Sequence, residues 1–178
     1  MGKDGDIMDN NQKRLEKLLI ELPNNKEILA DIYDMTYGAI FSFIWNIVKD
    51  REAAKDVTHD VYLAIYKNSN QYEAKGHPMA WMYAIAKNTS KMHLRKHTKE
   101  VTVEEEIEIA YHQDDVVSNV TIQYLLKNLD VEEREIVVMR SISDMSFKDI
   151  AQVLDMRIST VLSKYHRAIK KLKKEVLA

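Results

Sequence analysis

At 178 residues the chain has room for one ordinary domain or two small ones, and 26 Lys+Arg against 28 Asp+Glu give a formal net charge of −2. Four glycines and two prolines, where average usage would give roughly twenty together, exclude turn-rich sandwiches, barrels and hairpin folds and predict an all-α protein. The lack of cysteine excludes disulfide scaffolds, thiolate zinc sites and cysteine nucleophiles, and with no apolar run near about 18 residues and a polar start, MGKDGDIMDN, a cytoplasmic protein without membrane insertion or signal peptide is expected.

Residues 10–22 form the first predicted helix, with Leu15, Leu18, Leu19 and Leu22 on one face and Pro23 as its stop. Asn24 and Asn25 are cap candidates for a helical stretch over 26–49. Its apolar positions are Ile28, Ile32, Met35, Ile40, Phe43, Ile44 and Ile47, and Gly38 is a point where it could divide in two. Asp50 caps a helix to about residue 68 whose inner stripe is Ala54, Val57, Val61 and Ile65. A polar loop over 68–77 leads to Pro78, suited to a first helical turn, and a helix to His97. These elements predict a helical domain over 24–98, with residues 1–23 as an N-terminal extension.

Residues 99–118 read as an acidic linker, and a second small helical domain is expected over 119–178. Asp130 and Glu133 have the form of a capping box, and Ser146 with Asp149 a looser one. They start helices over 131–141 and 146–154. After a short turn at 155–157 comes a long final helix over 158–176.

The near-zero total conceals segregation. Residues 74–99 hold six Lys/Arg, three His and no acid, whereas 100–115 hold seven acids and no Lys/Arg; from 156 onward seven Lys/Arg face one acid, Glu175. Local fields of this kind, rather than the sum, govern attraction to a polyanion.

In the final helix Ile158, Val161, Leu162, Tyr165, Ile169 and Leu172 share an apolar arc, opposite Thr160, Ser163, Lys164, Arg167, Lys170, Lys171 and Lys174. A helix-turn-helix needs this division, because its second helix must dock on its own domain and still enter the major groove. There Lys and Arg reach phosphates or guanine edges. The plainer alternative is an amphipathic helix with a solvated lysine face. Upstream, Trp81, Tyr83 and Tyr72 lie beside the acid-free helix, a mixture suited to unpaired nucleic acid, whose bases stack while cations track the backbone. The alternative there is that Trp81 and Ile85 are core.

His93 and His97 are spaced i, i+4, but cations surround them and no carboxylate or thiol lies nearby, so no metal site is expected. Asp56 and Asp60, also i, i+4, suit a docking surface better than an acid–base pair. With no Gly-rich phosphate loop, GxSxG elbow or HExxH motif, neither an enzyme nor a cofactor is expected.

Three blocks together carry a family likeness. Residues 50–62 (DREAAKDVTHDVY), 79–88 (MAWMYAIAKN) and 145–154 (MSFKDIAQVL) with the following helix resemble bacterial RNA polymerase sigma factors of the extracytoplasmic-function type. The resemblance covers about 24–98 and 119–178. It implies a subunit that joins core RNA polymerase and directs it to promoter DNA. Asp56 and Asp60 match the surface that meets the largest-subunit clamp helices. Trp81, Lys87 and Asn88 match the segment that opens the −10 element, with Lys91 and Arg95 on the strand's backbone. Arg157, Thr160, Ser163, Lys164 and Arg167 fall where the family reads the −35 element, and the second domain would also meet the flap of the second-largest subunit. An anti-sigma factor is a further partner the family suggests. Asp155 and Arg157 stand where Gly and Ser are usual, Leu162 where Lys is frequent and His59 where Gln is usual. The alternatives are a stand-alone helix-turn-helix regulator and a helical interaction or inhibitor protein with no DNA role.

Overall fold

The computed structural model of the chain describes residues 4–97, 126 and 128–176, and all regular structure among them is helical. The chain divides into two compact units, Met1–Val103 and Glu104–Ala178. The predicted linker over 99–118 lies outside the described residues.

The first unit contains α1 (Asp4–Glu21), α2 (Ile28–Val48), α3 (Arg51–Asn68) and α4 (Pro78–His97), with a 3-10 turn at Ser69–Gln71. α2 is the hub, packed against α1, α3 and α4. A helix surrounded by others is buried all round rather than along one stripe, and from Ala39 to Asn46 every residue of α2 is buried. Phe41 and Trp45 therefore join the periodic set in the core, whereas Met35 and Ile47 are half-buried. Gly38 does not divide the helix. A mid-helix glycine costs about 1 kcal/mol, and burial of Thr36, Ala39 and Ile40 around it favours continuity.

α3 begins where its cap predicts: Asp50 Oδ1 accepts the Ala53 N–H at 2.6 Å, and Ala54, Val57, Val61 and Ile65 are all buried. A hydroxyl pair ties α3 to α2. The Thr36 hydroxyl donates to the Ile32 carbonyl at 2.6 Å, leaving Tyr62 to donate to Thr36 across 2.8 Å. The core also starts ahead of residue 24. α1 packs against α2 and α4, and its Leu15 and Leu19, with Leu22 just beyond, are buried.

The second unit contains α5 (Val131–Ser141), α6 (Phe147–Leu154) and α7 (Ile158–Val176). α5 opens on a complete capping box: the Glu133 N–H donates to Asp130 Oδ1 at 2.8 Å, and the Asp130 N–H to Glu133 Oε2 at 3.3 Å. α6 is capped by Ser146, whose Oγ accepts the Asp149 N–H at 3.1 Å. α7 packs on both shorter helices, around a core of Ile136, Met139, Met145, Ile150, Val161 and Ala168. Beside it Arg134 is buried, donating to the Leu126 and Leu129 carbonyls at 3.1 Å each, and burial holds its pKa below the ordinary guanidinium value.

Candidate nucleic-acid interface

α4 separates its faces cleanly. Met79, Met82, Tyr83, Ala86 and Ser90 are buried. At about 100° per residue, Trp81, Asn88 and Arg95 recur at i, i+7, i+14 on roughly the opposite side, with Lys91 beside them and Lys87 at the edge. Asn88, Lys91 and Arg95 are exposed, while Lys87 and Trp81 are half-buried. Trp81 is therefore neither a core residue nor a free one. The Tyr72 ring meets it edge-on at 5.1 Å between centroids, leaving a supported aromatic surface at the start of a cationic helix. Its partner Tyr72 is held by α1: the Tyr72 hydroxyl donates to Glu16 Oε1 at 3.1 Å, and the Gly76 N–H donates to the same oxygen at 2.7 Å. At the far end of α4 the His93 and His97 rings lie 4.4 Å apart, and among the described residues no cluster could hold a metal ion.

On α3 the exposed side carries Asp56, His59, Asp60, Leu63 and Tyr66, a helical stripe opposite the buried one. Leu63 and Tyr66 are each 39% exposed. The acids thus continue into an apolar surface, an extension the acidic spacing alone did not suggest.

In the second unit α6 ends on Asp155, whose φ of 55° and ψ of 41° place it in the left-handed region. Asp adopts that conformation more readily than most side chains, so this chain makes the turn without glycine. The turn is closed by the Met156 N–H donating to the Ala151 carbonyl at 2.9 Å. Arg157 is exposed, and its carbonyl accepts the Thr160 and Val161 N–H groups at 2.9 and 3.1 Å.

α7 presents Thr160, Ser163, Arg167 and Lys170 outward. Lys164 and Lys171, one heptad apart, lie instead on the flank towards α5. Lys164 Nζ is 2.7 Å from Glu132 Oε2, and Lys171 Nζ is 2.6 Å from Glu133 Oε2. Arg167 Nε lies 3.9 Å from Glu133 Oε1. The Glu133 side chain is only 2% exposed, so this carboxylate serves the capping box and the cations together. Its hydrogen bond to Glu132 raises the Lys164 pKa above the ordinary lysine value, and the side chain is 17% exposed. Three cations expected on an open face thus have acidic partners, which an α7 helical wheel does not reveal.

The apolar arc of α7 differs from expectation at two places. Ile158 is 46% exposed at the first turn, beyond the reach of the core. Ala168, too small to register in the apolar pattern, is fully buried.

Among the described residues, seven helices, with an aromatic and cationic one in the first unit and a helix-turn-helix in the second, define a two-part DNA-directed protein. Residues 32–100 match Sigma-70 region 2 and residues 120–172 match Sigma-70 region 4, well over half of the chain together. The chain belongs to the sigma-70 family and is a promoter-directing sigma factor of the extracytoplasmic-function type. It is similar to two Bacillus subtilis proteins named ECF RNA polymerase sigma factor: SigW, at 23% identity over 85% of this chain and 90% of that one, and SigM, at 24% over 82% and 93%. Its fold is shared with Bartonella quintana RpoE, solved in complex with the anti-sigma factor NepR (TM-score 0.62, 20% identity, 86% of this chain and 99% of that one). It is also shared with CnrH, solved with the cytosolic domain of CnrY (TM-score 0.55, 18% identity, 90% and 96%). Neither a stand-alone regulator nor an inhibitor is favoured by a chain that matches both sigma regions in order.

Proposed function

We propose that this sigma factor divides its work among three surfaces. The exposed side of α3, with Asp56 and Asp60 at its centre and Leu63 and Tyr66 beyond them, docks on the clamp helices of the largest polymerase subunit. The outward face of α4 opens the −10 element, with Trp81, Lys87 and Asn88 against the non-template strand and Lys91 and Arg95 along its backbone. The second unit sits on the flap of the second-largest subunit and reads the −35 element through Arg157, Thr160, Ser163, Lys164 and Arg167.

The observation that carries this reading is the division of α4. Its buried side is apolar but for Ser90, and its other side puts a supported Trp81 in line with Asn88, Lys91 and Arg95, the combination that stacks and tracks an unpaired strand. Two modest DNA surfaces on one chain gain affinity from effective concentration once polymerase holds both. By analogy with RpoE, solved with the anti-sigma factor NepR, an anti-sigma protein that covers these surfaces is the proposed regulator. The cytoplasm, where core polymerase meets DNA, is the proposed compartment; no helix among the described residues is long and apolar enough to cross a membrane.

The test is run-off transcription on a promoter library with core polymerase, with and without the chain. Transcripts from a defined subset of promoters are expected only when the chain is added. No activated promoter and no complex with core would overturn the reading.

A further inference from the structure

The geometry points to Glu16 of α1, outside both matched regions, as a positioning residue for promoter opening: it ties the loop before α4 to α1 and thereby holds Tyr72 against Trp81. The inference rests on the proposed role of α4 at the −10 element.

The matched region begins at residue 32, yet the chain's own N-terminal helix reaches the opening surface. α1 cannot rotate freely, because Leu15 and Leu19 on either side of Glu16 are buried and α1 touches α2, α4 and the 3-10 turn. One carboxylate oxygen on this fixed helix takes two donors from the loop, the Tyr72 hydroxyl at 3.1 Å and the Gly76 N–H at 2.7 Å. Gly76 has φ 76°, a conformation open to glycine at little cost, and this turn aims its N–H at α1. Tyr72 then meets Trp81 edge-on. Burial and the Glu16 contact raise the Tyr72 pKa, so the phenol keeps the proton it donates.

The chain of contacts therefore runs from α1 through the loop to the aromatic surface. Ordering a loop residue costs backbone entropy, and two hydrogen bonds to a charged acceptor offset it. Gly76 is exposed, so water can replace Glu16 there; its loss falls on loop order rather than on the core.

The experiment uses the full chain with core polymerase and follows permanganate reactivity of unpaired thymines across the −10 element. Glu16→Ala is expected to lower opening of a duplex promoter about tenfold, the equivalent of about one charged hydrogen bond. Glu16→Gln, which keeps an acceptor oxygen in place, is expected to remain within about twofold of the parent. A promoter already unpaired across the −10 element should restore Glu16→Ala, and core affinity should be the same for all three proteins. Opening of the duplex by Glu16→Ala at the parent level overturns the inference. So does a loss of core affinity, or an equal loss on duplex and pre-opened promoters, because either means general damage to α1. Trp81→Ala separates this from the underlying reading: if it opens the duplex normally, the −10 role of α4 itself fails.

Discussion

Lys164 Nζ and Glu132 Oε2 lie 2.7 Å apart, joining α7 to the first turn of α5. A cation proposed to touch promoter DNA thus already has an acidic partner within its own unit. Contact with a phosphate requires it to exchange one anion for another, so Glu132 acts as a competitor. Glu132→Gln removes the competing charge. The expected outcome is a two- to fivefold tighter complex of holoenzyme with promoter DNA at low salt, in keeping with the roughly 0.2–1 kcal/mol of an accessible ion pair. The gain should shrink as ionic strength rises. Anisotropy titrations over a salt series check this, and unchanged or weaker binding would make Lys164 a purely internal partner.

The α3 surface gives a second test. Asp56 and Asp60 are exposed, so reversing both charges should leave the fold within about 0.5 kcal/mol of its parent stability. Core polymerase should bind Asp56→Arg plus Asp60→Arg at least about tenfold more weakly, because like charges would then meet across the interface. Thermal melting and core-binding titrations read the two effects separately. Unchanged core affinity removes these acids from the docking site.

Asp155 holds the turn of the helix-turn-helix in a left-handed conformation at φ 55°. Asp155→Gly relieves the Cβ strain while freeing the unfolded chain somewhat, for a net stabilisation of about 0.5 kcal/mol. A rise of a few degrees in the melting temperature of the second unit is expected. A lower melting temperature would mean that the Asp155 side chain makes contacts worth more than the strain it carries.

Alkaline pH should loosen the first unit. Burial raises the Tyr62 pKa far above its ordinary value. Folding thus favours the protonated phenol, and its stabilisation is fully present below the ordinary tyrosine pKa of about 10. As pH rises past that value the unfolded chain loses its proton first, and stability falls. Tyr62→Phe removes this dependence along with one hydrogen bond, costing about 0.5–1.5 kcal/mol near neutrality. Denaturant melts at neutral pH and above pH 10 should converge for the two proteins, and a constant gap between them would exclude Tyr62 as the source.

Local chemistry made most of the fold legible. Asp50, the Asp130–Glu133 box and Ser146 each cap the helix that follows within four residues, and the inner stripe of α3 follows from period alone. Gly38 misled because propensity is local, whereas α2 is held by three neighbours. The outline of the proposed site comes from charge runs and aromatic placement, which are sequence properties. Its pairings were not. Glu16 and Gly76 are 60 positions apart, and Lys171 and Glu133 are 38 apart; no helical wheel joins them. Leu63 and Tyr66 stood apart from the charge pattern, and only their exposure beside Asp56 and Asp60 links them to the proposed docking side.

The place of α1 bears on how the protein can be cut. The Sigma-70 region 2 match begins at residue 32, one turn inside α2, but the compact unit begins earlier. A fragment trimmed to the matched region would lose the first turn of α2 and uncover the apolar trench that Leu15, Leu19 and Leu22 fill. Such a fragment would associate through that trench, so a soluble version of this half has to start ahead of Leu15.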